Sequence, residues 1–194
     1  GRSYAKIIKK YKNPGHILDI GAACGFILKG FELKGWNGTG IDPNERMVKY
    51  GREQLNLNLL NTPLENLDIN MQFDLISLIQ VISHFHDLDR SLEIINRQLK
   101  NEGLLLIETW DRESWFAKFL GQKWHQYSPP SVLQWFSRKT LINILSQHGF
   151  EPLKFGKPSK KISLQHGISL LKSKNSNGLF KFLLEKLEKT KISN

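Results

Sequence analysis

The chain has 194 residues, with 28 Lys and Arg against 18 Asp and Glu, and a net charge of +10. Its 40% hydrophobic content, with 5 Trp and 11 Phe, suffices for a core and excludes global disorder. No run approaches the roughly 18 apolar residues of a membrane-spanning helix. The single Cys24 excludes a disulfide framework and a Cys-rich zinc site, and it indicates a cytoplasmic chain.

The positive charge is concentrated at the two ends of the chain. Residues 1–13 hold five basic residues and no acid, residues 151–194 carry +7, and the middle carries −2. A basic total this high first suggests nucleic acid or an anionic surface as a partner. The near-neutral middle indicates that the chemistry lies away from the basic ends.

Short apolar strands alternate with helices through the first 108 residues. Strands are predicted at 16–20, 38–42, 57–60, 73–79 and 104–108, and helices at 26–33, 44–54 and 88–99. Residues 6–11 are predicted to be the end of a short helix. Apolar strands without alternation are buried on both faces, which predicts an α/β fold with a doubly wound, mostly parallel sheet of the Rossmann-like type. Such sheets bind ligands at the carboxyl ends of their strands.

The predicted alternation of strands and helices stops after residue 109. Residues 110–136 are aromatic and irregular, which favours a lid or substrate-binding insertion. Ser137 is predicted to cap a helix over 140–148, and 150–155 is a candidate sixth strand. The domain is therefore predicted to span 1–156. Residues 157–194 are predicted to form a basic, Lys-rich helical extension, with helices near 163–171 and 179–187 and no evident seventh strand.

A turn of small residues follows the first strand and favours a nucleoside ligand. Gly21, Ala22, Ala23 and Gly25 let a ligand approach the backbone closely before the next helix. Asp42 ends the second strand, where a carboxylate accepts hydrogen bonds from both hydroxyls of a ribose.

The spacing of these residues argues against a dinucleotide. The G-x-G-x-x-G fingerprint fails because Phe26 stands where a pyrophosphate loop needs its third glycine. Asp19, two residues before the first glycine, would oppose a pyrophosphate but suits a ligand with a cationic amino group. S-adenosylmethionine (SAM) has an α-ammonium and a sulfonium and no phosphate, so SAM is the predicted cofactor.

Five segments in order carry a family resemblance over about residues 4–155. They are 19–25 (DIGAACG), 40–43 (GIDP), 62–65 (TPLE), 73–85 (FDLISLIQVISHF) and 101–107 (NEGLLLI). With them, the chain resembles class I SAM-dependent methyltransferases of the small-molecule branch that includes the ubiquinone-biosynthesis O-methyltransferases. It departs from that pattern at Ala23, where glycine is common, and at Ser83, where an acid is usual.

The resemblance implies which residues bind the cofactor, with S-adenosylhomocysteine as the product. The implied set is Asp19, Gly21, Ala22, Ala23 and Gly25 in the loop, Asp42 and Pro43 at the ribose, Thr62, Pro63 and Leu64 at the adenine, and Ile79 and Gln80 along the cofactor. No metal site is expected.

The implied reaction is an in-line transfer of a methyl group to a small-molecule acceptor, such as a sugar, a quinone or a lipid-linked precursor. His125, in the aromatic segment, is the preferred general base, and His84 is a polar contact on the acceptor or cofactor side. For either histidine, a purely structural hydrogen-bonding role is the alternative. Trp124 and Tyr127 are candidate acceptor-binding residues.

Two other functions stay open at this point. A nucleic-acid methyltransferase is disfavoured because 78–81 lacks the Pro-Pro-aromatic motif of base methylation, and Pro129 and Pro130 come too late to replace it. A catalytically inactive SAM-fold binding subunit is the other alternative. The basic tail favours a solvated face, with an anionic acceptor or peripheral contact with an anionic membrane surface as alternatives. The oligomeric state is left open.

Overall fold

A computed structural model describes residues 1–124 and 126–156 of the protein. The chain divides into two compact units, Gly1–Pro152 and Leu153–Asn194. Of the second unit, only residues 153–156 are described, and they are exposed. The predicted extension and its two helices lie outside the described residues, so the boundary after residue 156 stays a prediction.

Helices and strands alternate along the first unit. They are α1 (Arg2–Ile8), β1 (His16–Ile20), α2 (Phe26–Glu32), β2 (Asn37–Ile41), α3 (Glu45–Leu55), β3 (Leu59–Leu60), β4 (Phe73–Ile79), α4 (Leu88–Gln98), β5 (Leu99–Glu108), α5 (Trp115–Leu120) and α6 (Arg138–Gln147). Three short 3-10 turns complete the set, at Leu64–Asn66, Ile82–His84 and Gly121–Lys123.

The five strands form one parallel sheet in the order β3-β2-β1-β4-β5. The chain runs outward from β1 to β3 and then returns to the other side of β1 with β4. This reversal is the switch point at which doubly wound sheets open a crevice for a ligand. The predicted fold class is confirmed.

Each face of the sheet carries its own hydrophobic core. Ile17, Leu28 and Phe31 belong to the cluster on one face, and Leu18, Ile76 and Leu92 belong to the cluster on the other. All six side chains are completely buried. Adjacent residues such as Ile17 and Leu18 are both buried because neighbouring side chains in a strand point to opposite faces, and helices cover both.

Polar side chains begin four of the described helices. Asn44, Asp87, Ser114 and Ser137 each accept a hydrogen bond from the backbone N–H three residues later. Each bond satisfies a donor that the first turn of a helix leaves without an intrahelical partner. The predicted cap at Ser137 is confirmed.

The structure corrects three predicted elements. The first helix, Arg2–Ile8, ends at Ile8 rather than at residue 11. The fifth strand begins at Leu99 rather than 104, because Leu99 already pairs with Phe73 before the register shifts. The described residues of 150–155 form no strand, so the predicted sixth strand is wrong.

Across the two described ranges, no helix is both long and apolar enough to cross a bilayer.

Candidate functional site

The turn after β1 keeps its backbone in conformations that suit small residues. Gly21, Ala23 and Gly25 have φ angles of +67°, +49° and +80°. Between them, the N–H of Ala22 donates to the carbonyl of Ile41 at 3.0 Å, which fastens the turn to the end of β2. The turn therefore presents backbone rather than side chains at the switch point.

The carboxylate of Asp42 is held in place by the same turn. Oδ2 accepts a hydrogen bond from the N–H of Ala23 at 2.8 Å, and Oδ1 accepts one from the N–H of Asn44 at 2.8 Å. A carboxylate offers about four lone-pair sites. Each oxygen of the half-buried Asp42 can thus serve one backbone donor and still accept from a vicinal diol.

Asp19 lies beneath the turn as a buried carboxyl group, only 2% exposed. The hydroxyl of Ser77 donates to its Oδ1 at 2.5 Å. Burial raises the pKa of Asp19 to about 7, the Ser77 hydrogen bond opposes that rise, and the charge of Asp42 adds to it. Asp19 therefore titrates near neutrality, and a nearby cation would favour its charged form.

The segment predicted to flank an adenine follows β3 directly. Asn61 donates from Nδ2 to the backbone carbonyl of Asp42 at 3.1 Å, which ties this segment to the ribose acid. Leu64 is buried, whereas Thr62 and Pro63 are half-buried. Thr62 and Pro63 therefore offer an accessible apolar edge next to Asp42.

The end of β4 meets two residues that the sequence reasoning missed. Gln80 has a φ of +63°, and its side-chain Nε2 donates to Oε1 of Glu108 at 2.9 Å. The hydroxyl of Tyr4 donates to Oε2 of the same carboxylate. An acid at the carboxyl end of β5 was the available signal for Glu108, but Tyr4 is 104 residues away and no local pattern joins the two.

His84 lies on the exposed side of the 3-10 turn that follows β4. Its Nδ1 is hydrogen-bonded to the carbonyl oxygen of Ser131. A carbonyl oxygen only accepts, so the neutral imidazole carries its proton on Nδ1 and its lone pair on Nε2. This tautomer leaves Nε2 able to accept a proton.

The aromatic segment is fixed to the same end of β4. The N–H groups of Leu133 and Gln134 donate to the carbonyl of Ser83 at 2.9 and 3.2 Å. Gln134 also donates from Nε2 to the carbonyl of Phe85 at 3.2 Å. The predicted acceptor segment therefore lies beside His84.

Trp124 and Tyr127, the predicted acceptor-binding residues, differ in exposure. Trp124 is 2% exposed, and its ring packs edge-on against Tyr127 with centroids 5.3 Å apart. Tyr127 is 41% exposed and also packs against Trp135 at 5.2 Å. Of the two, Tyr127 has the surface that a ligand could contact, while Trp124 is buried and packs against the ring of Tyr127.

The predicted residues divide into those that the structure gathers and those that it does not. The loop after β1, Asp42 and the end of β4 lie together at the carboxyl edge of the sheet. Pro43 is exposed beside Asp42. His125, the preferred base, lies outside the described residues. No group of three or more His, Cys, Asp or Glu within the described ranges could hold a metal ion.

The turn after β1 has no room for a side chain at position 21, which can be tested by substitution. A Cβ added there would lie 2.5 Å from Cγ2 of Val81, in a backbone with positive φ. We expect Gly21→Ala to lower the free energy of unfolding by about 3 kcal/mol, from backbone strain of about 1–2 kcal/mol and overpacking. Urea unfolding measures the loss.

Gly35→Ala is the matched control for this variant. Gly35 also has a positive φ, but its added Cβ would meet only Pro14, at an ordinary 3.8 Å. We expect a loss of about 1 kcal/mol, the strain alone. Equal losses in the two variants would contradict the proposed contact with Val81.

A parallel sheet with its switch point at a small-residue turn places the chain in the Rossmann-like class of α/β proteins. Within that class, the family model described as "Methyltransferase domain" matches residues 2–154. The chain therefore belongs to this methyltransferase family.

Individual relatives agree with the family and differ in how much of the chain they cover. A ubiquinone biosynthesis O-methyltransferase of Nitrobacter winogradskyi is 27% identical over 64% of this chain and 48% of its own length. A SAM-dependent methyltransferase of Thermotoga maritima aligns with a TM-score of 0.64 at 24% identity, over 77% of this chain and 70% of that one. The chain spans about half the length of the curated relative.

A third comparison extends the fold to a sugar-modifying enzyme. A SAM-bound amino pentose methyltransferase of Micromonospora echinaspora aligns with a TM-score of 0.51 at 19% identity, over 56% of this chain and 48% of that one. At these identities, the solved structures show the shared fold.

Proposed function

We propose that the protein is a SAM-dependent methyltransferase that acts on a small-molecule acceptor. The observation that carries the proposal is the carboxylate of Asp42, whose two oxygens are fixed by the N–H groups of Ala23 and Asn44. This geometry suits the two hydroxyls of a ribose placed against the turn. Membership of the methyltransferase family makes SAM the ribose-bearing ligand.

The remaining residues of the edge match the other parts of SAM. Thr62 and Pro63 border the ribose acid on the side where an adenine would lie. Asp19 supplies a negative charge beneath the turn, opposite a ligand that carries a cationic methionine end. Gly21 is half-buried and has no side chain, which would allow that end to cross from β2 toward β4.

When bound, SAM supplies a methyl group on a sulfonium, and transfer breaks the C–S bond and releases S-adenosylhomocysteine. The protein has to align an acceptor nucleophile with the methyl group and hold the proton that the nucleophile loses. We assign the second task to His84, which is supported by the lone pair on its Nε2. His125 stays the other candidate base.

The acceptor is proposed to bind between His84 and the aromatic segment. Tyr127 offers a half-exposed ring on that segment, supported by Trp124 and Trp135. A rigid aromatic surface suits a flat or apolar acceptor. The named relatives act in ubiquinone biosynthesis and on an amino pentose, so a quinone precursor, a sugar or a lipid-linked precursor is proposed here.

The test follows a methyl group without presuming the acceptor. The protein is incubated with methyl-labelled SAM and a cell extract, and the extract is separated into small molecules, lipids and nucleic acids. We expect label in the small-molecule or lipid fraction, and none with the Asp42→Ala variant. Label in nucleic acid would favour a nucleic-acid methyltransferase. Cofactor binding without transfer to any fraction would favour a binding subunit.

A further inference from the structure

Helix α5 presents its largest side chains to solvent. Trp115 and Phe119 are 78% and 79% exposed, more than any other large hydrophobic side chain in the two described ranges. Phe116 is also exposed, whereas the residue that α5 buries is Ala117. A helix on a protein surface normally does the reverse and turns its large apolar side chains toward the core. α5 therefore offers an apolar surface that the packing of the domain does not use.

The exposed residues form one continuous arc around α5. At about 100° per residue, the order around the helix axis is Lys118, Trp115, Phe119 and Phe116. Ala117 lies opposite the centre of this arc. The rings of Trp115 and Phe116 pack edge-on against each other, with centroids 5.9 Å apart. We call these four exposed residues the α5 face.

The α5 face is attached to the rest of the domain through backbone groups. Ser114 begins the helix by accepting a hydrogen bond from the N–H of Ala117 at 3.2 Å. Just before it, the N–H of Arg112 donates to the carbonyl of Phe136 at 2.9 Å, and Asp111 forms a β-bridge with Phe136. Both ends of the aromatic segment are thus joined, so the α5 face is part of the segment that we propose to bind the acceptor.

Positive charge accompanies the α5 face. Lys118 lies within it, Lys123 belongs to the 3-10 turn that follows, and both side chains are exposed. From residue 114 to residue 150, the sequence has four Lys and Arg and no Asp or Glu. This stretch is complementary to an anionic surface, and its like charges disfavour contact with a second copy of itself.

Exposed aromatic rings beside lysines on a convex helix match the interface of an anionic membrane. Trp and Phe enter the boundary between headgroups and acyl chains, while the ammonium of Lys stays beside the lipid phosphates. Single-stranded nucleic acid also stacks on aromatic rings, but it is bound in a positively charged groove rather than on the outside of a helix. We propose that the α5 face binds the surface of an anionic membrane. The proposal goes beyond the proposed function, since it concerns the surface at which the protein works.

The experiment measures binding of the full chain to lipid vesicles. Vesicles of phosphatidylcholine, with or without phosphatidylglycerol, are sedimented with the protein, and the bound fraction gives a partition coefficient. We expect the wild-type protein to bind the anionic vesicles. Phe119→Ala should lower the partition coefficient about tenfold, because an aromatic ring no longer leaves water. Lys118→Gln should lower it about fivefold on the anionic vesicles alone.

Leu33→Ala and Lys34→Gln are the matched controls. Leu33 is 62% exposed, and the neighbouring Lys34 is also exposed, far from α5 in the chain. Each control removes the same kind of group as its partner variant, and we expect partition coefficients within about twofold of the wild type. All four positions are exposed, so Tm and the Kd of S-adenosylhomocysteine should not change.

Trp115 supplies a second measurement, because indole fluorescence is quenched by lipids with brominated acyl chains. Trp115→Phe keeps an apolar ring on the α5 face and removes the indole. We expect brominated anionic vesicles to quench the wild-type protein and to lose most of that effect in the variant. Its partition coefficient should stay within about threefold of the wild type.

Four results would overturn the proposal. Absence of wild-type binding to anionic vesicles is the first. Equal binding by Phe119→Ala and Leu33→Ala would assign the attraction to basic residues elsewhere in the chain. Equal quenching of the wild type and Trp115→Phe would place another tryptophan at the membrane. Loss of RNA binding or of self-association in Phe119→Ala, with vesicle binding unchanged, would give the α5 face a different partner. Failure to bind S-adenosylhomocysteine would end the proposed function alone.

Discussion

Asp42→Ala is expected to raise the Kd of S-adenosylhomocysteine more than about a hundredfold, since two charge-assisted hydrogen bonds contribute about 3 kcal/mol or more. The variant also removes the acceptor that fixes the N–H groups of Ala23 and Asn44. The turn then loses its preformed shape as well as its ribose partner. Calorimetry and the ligand-induced shift in Tm measure the effect.

Two further variants separate binding from folding. Asp42→Asn keeps the shape and one carbonyl oxygen, so we expect an intermediate loss of about tenfold. Asp68→Ala removes a carboxylate from an exposed residue outside the site and should leave the affinity unchanged. If Asp42→Ala bound S-adenosylhomocysteine as well as Asp68→Ala does, the ribose assignment would be wrong.

Asp19→Asn is expected to stabilise the ligand-free protein at pH 8 while it weakens binding of the cofactor. The pKa of Asp19 is about 7 in the folded protein against an ordinary 3.8, mainly because of burial. Between these values the folded state keeps a proton that the unfolded state releases, so stability falls as pH rises. The variant removes that cost, and we expect a gain of roughly 4 kcal/mol at pH 8 that disappears near pH 4.

Binding should show the opposite preference for pH. We propose that the cofactor's ammonium lies near Asp19 and favours its charged form, so wild-type affinity for S-adenosylhomocysteine should fall by up to about tenfold per unit below pH 7. The Asp19→Asn variant should bind weakly with little pH dependence from this group.

Ser77→Ala gives the sharper control for this titration. The Ser77 hydroxyl lowers the pKa of Asp19, so its removal should move the midpoint of the binding profile to higher pH. Titration calorimetry between pH 5.5 and pH 8.5 would record both profiles. A wild-type affinity that is constant across this range would contradict the link between Asp19 and the ammonium group.

The sheet was accessible from the sequence because its strands are uninterrupted apolar runs. The predicted bounds of β1 and β4 match the structure, since both strands are buried on both faces. The turn at Gly21 and the acid at Asp42 could also be predicted, because each directly follows the end of a predicted strand. In these segments the local sequence pattern and the burial in the folded protein favour the same structure.

Other features depend on contacts between distant parts of the chain. Tyr4 and Glu108 lie 104 residues apart in the chain and meet through one hydrogen bond, and no local pattern joins the two. The early start of β5 at Leu99 follows from pairing with Phe73, which overrides the turn-forming residues at 101–103. Irregular segments have no hydrophobic periodicity, so the position at which the aromatic segment attaches to the end of β4 could not be predicted either.

The attachment of the aromatic segment consists of backbone hydrogen bonds. One carbonyl, that of Ser83, receives the N–H groups of both Leu133 and Gln134. Backbone donors are present whatever side chain follows them, proline excepted, so substitutions there leave this anchor intact. Natural drift, or a designed library, can therefore vary the side chains that we propose to face an acceptor while the backbone anchor stays the same. We expect that new acceptor preferences can be selected in this loop without changes to the residues proposed to bind the cofactor.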